Sequence, residues 1–257
     1  MSSIQGKFVW YDVMTSDTKA AEAFYRKAIG WDTNDSGMAD RSYTILSMGP
    51  ARVGGLMPIP DEVRAMGARP MWTGYIAVDN VDDWAQRVAA AGGAVRAPPE
   101  DIPGVGRFAV VVDPDGAVFI LFRGAGDETP TPAAPGTPGH IGWHELHAAD
   151  GERAFAFYSG LFGWTQAEAM DMGAMGVYRI FATGGAPVGG MMTKAAEMPM
   201  ASWLYYFNVD AIDAAMARVK DAGGKVINRP MEVPGGSWIA QCIDPQGAMF
   251  AMVATRR

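Results

Sequence analysis

The chain has 257 residues, room for one large domain or two modest ones, and it is 49% hydrophobic against 19% charged, the balance of a packed globular protein rather than a disordered one. Its 21 Lys+Arg against 28 Asp+Glu give a net charge of −7 with no basic cluster to offset it, which argues against nucleic acid or an anionic membrane as partner. A single cysteine, Cys242, excludes an internal disulfide and any cysteine-cluster site, and all three histidines (His140, His144, His147) fall in one short stretch of the chain.

The first residues, Met-Ser-Ser-Ile-Gln-Gly-Lys, lack an apolar targeting core, and no run approaches the roughly 18 apolar residues a membrane span needs. The expectation is a soluble, cytoplasmic protein. A β-like run, Phe8–Met14, comes first. A segment with apolar residues at helical spacing succeeds it, Ala21/Phe24/Tyr25/Ala28, ending at Gly30. Short runs at Tyr43–Met48 and Arg52–Met57 come next. The same order then recurs: a run at Thr73–Val78, a helix through Val81/Trp84/Val88/Ala91 ending at Gly92, then Arg107–Val112 and Ala117–Phe122. Between the last two, Asp113-Pro114-Asp115-Gly116 has the residue preferences of a type I turn and predicts a hairpin.

After residue 139 the pattern repeats. Ala23-Phe24-Tyr25 through Gly30-Trp31 returns as Ala156-Phe157-Tyr158 through Gly163-Trp164, an offset of 133 (23 to 156). Val53-Gly54-Gly55 returns as Val188-Gly189-Gly190, and Asp113-Pro114 with Gly116-Ala117 returns as Asp244-Pro245 with Gly247-Ala248. The second copy opens with Ile141–His147 and a helix through Ala154/Phe157/Tyr158/Leu161 ending at Gly163. Leu204–Val209 and a helix through Ile212/Met216/Val219 ending at Gly223 complete it up to its last strands. Asp17, Asn80, Asp150 and Asp210 are the expected N-caps of the four helices. Residues 124–139, rich in Pro and Gly, read as a semi-stiff linker. The unit is thus strand, helix and about three strands, used four times, which is α+β rather than a doubly wound sheet.

A βαβββ unit used in pairs, with Phe-Tyr on the helix, Gly-Trp after it and Asp-Pro-x-Gly-Ala before the last strand, resembles the glyoxalase/bleomycin-resistance/dioxygenase superfamily, also called vicinal oxygen chelate. The resemblance implies two tandem domains, 7–123 and 140–254, joined by 124–139. Each would be an incomplete β-barrel around a cavity, with helices outside. It also implies that the two domains pair within the chain as single-domain subunits do in smaller relatives; a further homodimer stays open.

Metal-dependent members of that family hold a divalent ion on His, Gln or Glu of the opening and closing strands. By the family's spacing those positions fall here on Trp10, Thr73 and Ile120, and on Trp143, Leu204 and Ala251, with a fourth near Gly55/Leu56 and Gly190/Met191. These are not ligands for such a cation, so neither metal nor other cofactor is expected. On a strand alternate residues share a face, so Asp12 and Met14 accompany Trp10, while Glu145 and His147 accompany Trp143.

Asp12, Glu145 and His147 are the candidate acid/base residues. Trp10, Met14, Trp143, Thr73, Leu204, Ile120 and Ala251 are the candidate ligand-binding residues. The competing reading of the two acids is that they close loops or pair with an arginine, with Arg41, Arg107, Arg179 and Arg229 at hand. The eighteen methionines are either adaptable cavity wall or plain packing. The functional expectation is metal-free binding of a small apolar or aromatic molecule. The alternative is a lyase, isomerase or oxygenase of glyoxalase or dioxygenase type working through Asp12 or Glu145/His147.

Overall fold

The computed structural model describes residues 4–38, 41–126 and 133–257. Residues 127–132 of the expected linker therefore lie outside the described residues.

The first repeat runs β1 (Phe8–Thr15), α1 (Thr18–Ala28), β2 (Asp32–Asp35), β3 (Thr44–Met48), β4 (Ala51–Pro58), a short α2 (Asp61–Ala65), β5 (Met71–Ala77), α3 (Val81–Ala90), β6 (Ala94–Ile102), β7 (Gly106–Val112) and β8 (Val118–Gly124). The second runs β9 (Ile141–Ala148), α4 (Gly151–Phe162), β10 (Thr165–Asp171), a 3-10 turn at Gly173–Met175, β11 (Val177–Ala182), β12 (Pro187–Thr193), β13 (Ser202–Asn208), α5 (Ile212–Asp221), β14 (Lys225–Val226), β15 (Met231–Val233), β16 (Ser237–Ile243) and β17 (Met249–Ala254). Among the described residues the strands form two sheets, of eight and nine strands, neither closed into a barrel. In each of the four βαβββ modules the opening strand lies parallel to the closing one, β1 with β4, β5 with β8, β9 with β12 and β13 with β17. The crossover helix makes the parallel pairing possible. The remaining strands meander antiparallel.

The helices start and stop for local reasons. Asp17 accepts from the Ala20 N–H, Asn80 from Asp82 and Asp83, and Asp150 from Glu152 and Arg153, satisfying amides that open each helix. Asp210 does not act as expected. Helix α5 begins one residue later, with Ala211 at the cap, and the Asp210 carboxylate pairs with Arg218 at 3.0 Å instead. At the C-terminus of α4, Gly163 adopts φ 71°, a left-handed conformation that favours glycine.

The chain divides into two compact units, each built from one module of each repeat. Unit 1 comprises 1–10, 73–132 and 144–203; unit 2 comprises 11–72, 133–143 and 204–257. The recurring motifs meet inside these units. In unit 2 the Tyr25 hydroxyl on α1 donates to Asp244 at 2.9 Å and accepts from Trp72 Nε1 at 2.8 Å. In unit 1 Tyr158 on α4 donates to Asp113 at 3.3 Å and accepts from Trp203 Nε1 at 3.0 Å. The other oxygen of each aspartate holds its own turn, Asp113 through the amides of Asp115 and Ala117, and Asp244 through those of Gln246, Gly247 and Ala248. Trp31 and Trp164, just after the helix glycines, are buried and donate to the carbonyls of Gly139 and Gly6. Among the described residues no helix is long and apolar enough to cross a membrane.

Candidate functional site

Each acid singled out by strand alternation lies buried beside a tyrosine. On β1 in unit 2, Asp12 accepts a 2.7 Å hydrogen bond from the Tyr43 hydroxyl. On β9 in unit 1, Glu145 Oε2 accepts from Tyr178 at 3.0 Å. The backbone makes room for both contacts in the same way. Asp12 lies opposite Gly55 in the parallel β1/β4 pair, and Glu145 opposite Gly190 in β9/β12. A Cβ on Gly55 would sit 2.0 Å from the Tyr43 hydroxyl, and one on Gly190 would sit 2.1 Å from Tyr178 Cζ. The tyrosine thus lies over a glycine to reach the acid on the next strand. The Gly-Gly pair is visible as a repeat in the sequence; its use as a seat for a phenol ring is not, because that depends on strand register.

The two acids differ in the residue two places further along the strand. His147 Nε2 lies 2.8 Å from Glu145 Oε1, with both side chains about one-tenth exposed. The carboxylate accepts, so Nε2 carries a proton and Nδ1 is the nitrogen left to face a ligand. Met14 occupies the matching position on β1 and is partly exposed, so the first repeat has an acid and a phenol without an imidazole. Two of the candidate arginine partners turn elsewhere, Arg107 to Asp82 and Asp101, and Arg179 to Glu152.

The remaining histidine of β9 is structural. His144 Nδ1 donates to the Val188 carbonyl at 2.7 Å, and the ring stacks on Phe8 at 4.2 Å. Burial depresses its pKa to about 4, the carbonyl contact opposing this only in part, so the ring is neutral near pH 7. His140 lies near the surface with Nδ1 against the Pro138 carbonyl. Cys242 is buried, which pushes its thiol up to about 12 and leaves it inert as a nucleophile.

The positions that the family resemblance marks for metal ligands come together in the second repeat as an apolar cluster. Leu204, Tyr206 and Ala251 form its buried centre, and Trp143, Ile239 and Val253 pack against it, all in unit 2. In the first repeat Thr73 and Ile120 are both buried, and Trp10 is partly buried. The faces can be assigned from neighbouring contacts. Trp72 and Trp203 reach the helix tyrosines, so Thr73 and Leu204, one residue on, point to the opposite side of the sheet.

A divalent cation does not fit this donor set. Indole, isobutyl, sec-butyl and methyl groups offer it nothing, the Thr73 hydroxyl is a single neutral oxygen, and Glu145 and His147 engage each other. Among the described residues no three His, Cys, Asp or Glu side chains gather as a metal-holding group.

Comparison with known proteins agrees with the fold. The family model described as "Glyoxalase/Bleomycin resistance protein/Dioxygenase superfamily" matches residues 7–121 and again 138–252. A protein of Mycobacterium tuberculosis (strain CDC 1551 / Oshkosh) named "Putative glyoxylase CFP32" is 34% identical over 251 residues, covering 97% of this chain and 95% of that protein. "Anthracycline biosynthesis protein DauV" of Streptomyces sp. (strain C5) is 32% identical over 265 residues, covering 98% and 94%. Among solved structures, a Mn(II)-bound glyoxalase from Novosphingobium aromaticivorans superposes with a TM-score of 0.67 at 17% identity, covering 99% of this chain and 83% of that one. The 2,3-dioxygenase LapB from Pseudomonas sp. KL28 superposes with a TM-score of 0.66 at 11% identity, covering 98% and 93%. At those identities the structural likeness is one of fold.

Proposed function

Given that the chain belongs to the glyoxalase/bleomycin resistance protein/dioxygenase superfamily, we propose that it is a member that binds a small apolar or aromatic molecule without a metal. The observation that carries this reading is the replacement of ligand side chains by an apolar cluster, Trp143 with Leu204, Tyr206 and Ala251. A large flat indole beside aliphatic and phenolic side chains suits an aromatic ligand, since small-molecule sites are mostly apolar with a few polar groups. The relative named for anthracycline biosynthesis adds support, anthracyclines being polycyclic aromatic compounds. The reading calls for no cofactor and takes the protein to act in the cytoplasm on a small molecule, with no nucleic acid or membrane partner.

The test is a titration of the full chain with one- to four-ring aromatics, read by tryptophan fluorescence and by the rise in Tm. Saturable binding that Trp143→Ala weakens about tenfold or more, the loss of about 1.4 kcal/mol of aromatic contact, supports the reading. No saturable binding by any of them contradicts it.

A second reading is favoured by one arrangement, the Tyr178–Glu145–His147 chain on β9 and β11. Glu145 would orient His147 so that Nδ1 takes a proton from a carbon beside a ligand carbonyl and returns it to another position of the enolate, an isomerase step. Proton exchange into a bound ketone in heavy water, monitored by NMR, checks it. The wild type should exchange faster than buffer and His147→Asn at least about tenfold more slowly, the low end of a general-base contribution. Exchange at the buffer rate in the wild type ends this reading and leaves the binding reading standing.

A further inference from the structure

Thr73 carries a chemical signal that the family positions alone do not. It is 2% exposed, and its Oγ1 is a buried polar atom with no hydrogen-bond partner among the described residues. Leaving a hydroxyl buried without a partner is costly, and valine has the same shape without the cost. The fold does not require a hydroxyl there, because the matching position of the second repeat holds Leu204, buried in an apolar cluster. The Thr73 oxygen is thus a polar group that the surrounding side chains leave available to a partner.

The surroundings of Thr73 lie in unit 1 and suit an aromatic ligand. Tyr75, two residues along β5, is on the same face and stands opposite Ile120 in the parallel β5/β8 pair. Tyr75 and Ile120 are both buried, and the Tyr75 ring meets the Phe122 ring edge-on at 5.8 Å. The second repeat has Tyr206 opposite Ala251 in the same register, with Val253 at the position of Phe122. The two faces share their phenol and their framework. They differ in bulk, Ile120 and Phe122 against Ala251 and Val253, and in polarity only at Thr73, a hydroxyl against the isobutyl group of Leu204.

We propose that Thr73 Oγ1 is the specificity-determining contact of the first-repeat face, which takes an aromatic ligand bearing a hydroxyl or carbonyl oxygen, while the second-repeat face takes an unsubstituted apolar ring. The hydroxyl donates to a carbonyl or accepts from a phenol, so either oxygen satisfies it. The proposal rests on the binding reading given above and assigns different ligand chemistry to the two repeats.

The probes are 1-naphthol and naphthalene, which share a ring system and differ by one hydroxyl, titrated calorimetrically into the full chain as wild type, Thr73→Val and Thr73→Ser. The wild type should bind 1-naphthol about tenfold more tightly than naphthalene at one of two sites, the ratio set by about 1.4 kcal/mol of net hydrogen bonding. Thr73→Val should abolish that preference, and Thr73→Ser should retain it. Unliganded Thr73→Val should melt no lower than the wild type, which keeps loss of fold apart from loss of recognition. An unchanged preference in Thr73→Val overturns the proposal but not the binding reading. Failure of both probes to bind any variant overturns the two together.

Discussion

His144 shows how one side chain sets the protein's response to acid. Its folded pKa of about 4 lies below the ordinary 6.5, mainly through burial. The stability it contributes is therefore present above about pH 6.5 and is lost as pH falls through about 4. The shift corresponds to about 3 kcal/mol. Asp113 and Asp244 run the other way: burial raises both, so their contribution is present in acid and is lost as pH rises through their folded values. His144→Phe keeps the stack on Phe8 and removes the titrating ring. Urea denaturation from pH 7 to pH 4 should show the wild type losing about 3 kcal/mol more than the variant; parallel curves would refute the assignment. The orientation of His144, away from the Trp143 face, is legible in the sequence through strand alternation. Its partners are not, because Phe8 and Val188 lie far along the chain and nothing local marks them. Tyr43 and Tyr178 look like ordinary packing residues for the same reason: their hydroxyls reach acids only through the strand register that seats them over Gly55 and Gly190.

Among elements, the contact of helix with hairpin does most to explain the motifs. Phe-Tyr, the tryptophan opening the next strand and Asp-Pro-x-Gly are legible as repeats, and the hairpin turns as turns. What ties them together is invisible in the sequence, since the tyrosine of one repeat bonds the aspartate of the other. Tyr158→Phe leaves Trp203 Nε1 and the second oxygen of Asp113 short of a buried partner, and Tyr25→Phe does the same for Trp72 and Asp244. Each should cost about 1–3 kcal/mol in chemical denaturation, and because the two networks share no residue the double variant should lose close to the sum. A loss under about 0.5 kcal/mol, the range of an ordinary surface change, would mean the phenol hydroxyls carry no structural role. Helix starts are readable to within a residue, and that residue matters at α5, where Asp210 falls one place short of the cap.

For the whole molecule, repetition is the strongest signal in the sequence, and the fourfold βαβββ order can be derived from it. The make-up of the compact units cannot, because a repeat announces which segments are alike and not which of them pack together. Unit 1 joins the end of the first repeat to the start of the second, and unit 2 joins the outer modules. The residue types at the positions that the family resemblance marks are legible as well: Trp, Thr and Ile in one copy and Trp, Leu and Ala in the other, and in the second copy they pack together. On the binding reading, an aromatic ligand is held without a metal. The most direct test is calorimetric titration of the wild-type chain with 1-naphthol after exhaustive chelation with EDTA, then again with added Mn(II), Fe(II) or Zn(II). Affinity and stoichiometry should be the same in every case. Binding that vanishes on chelation and returns with one of those ions would contradict that reading.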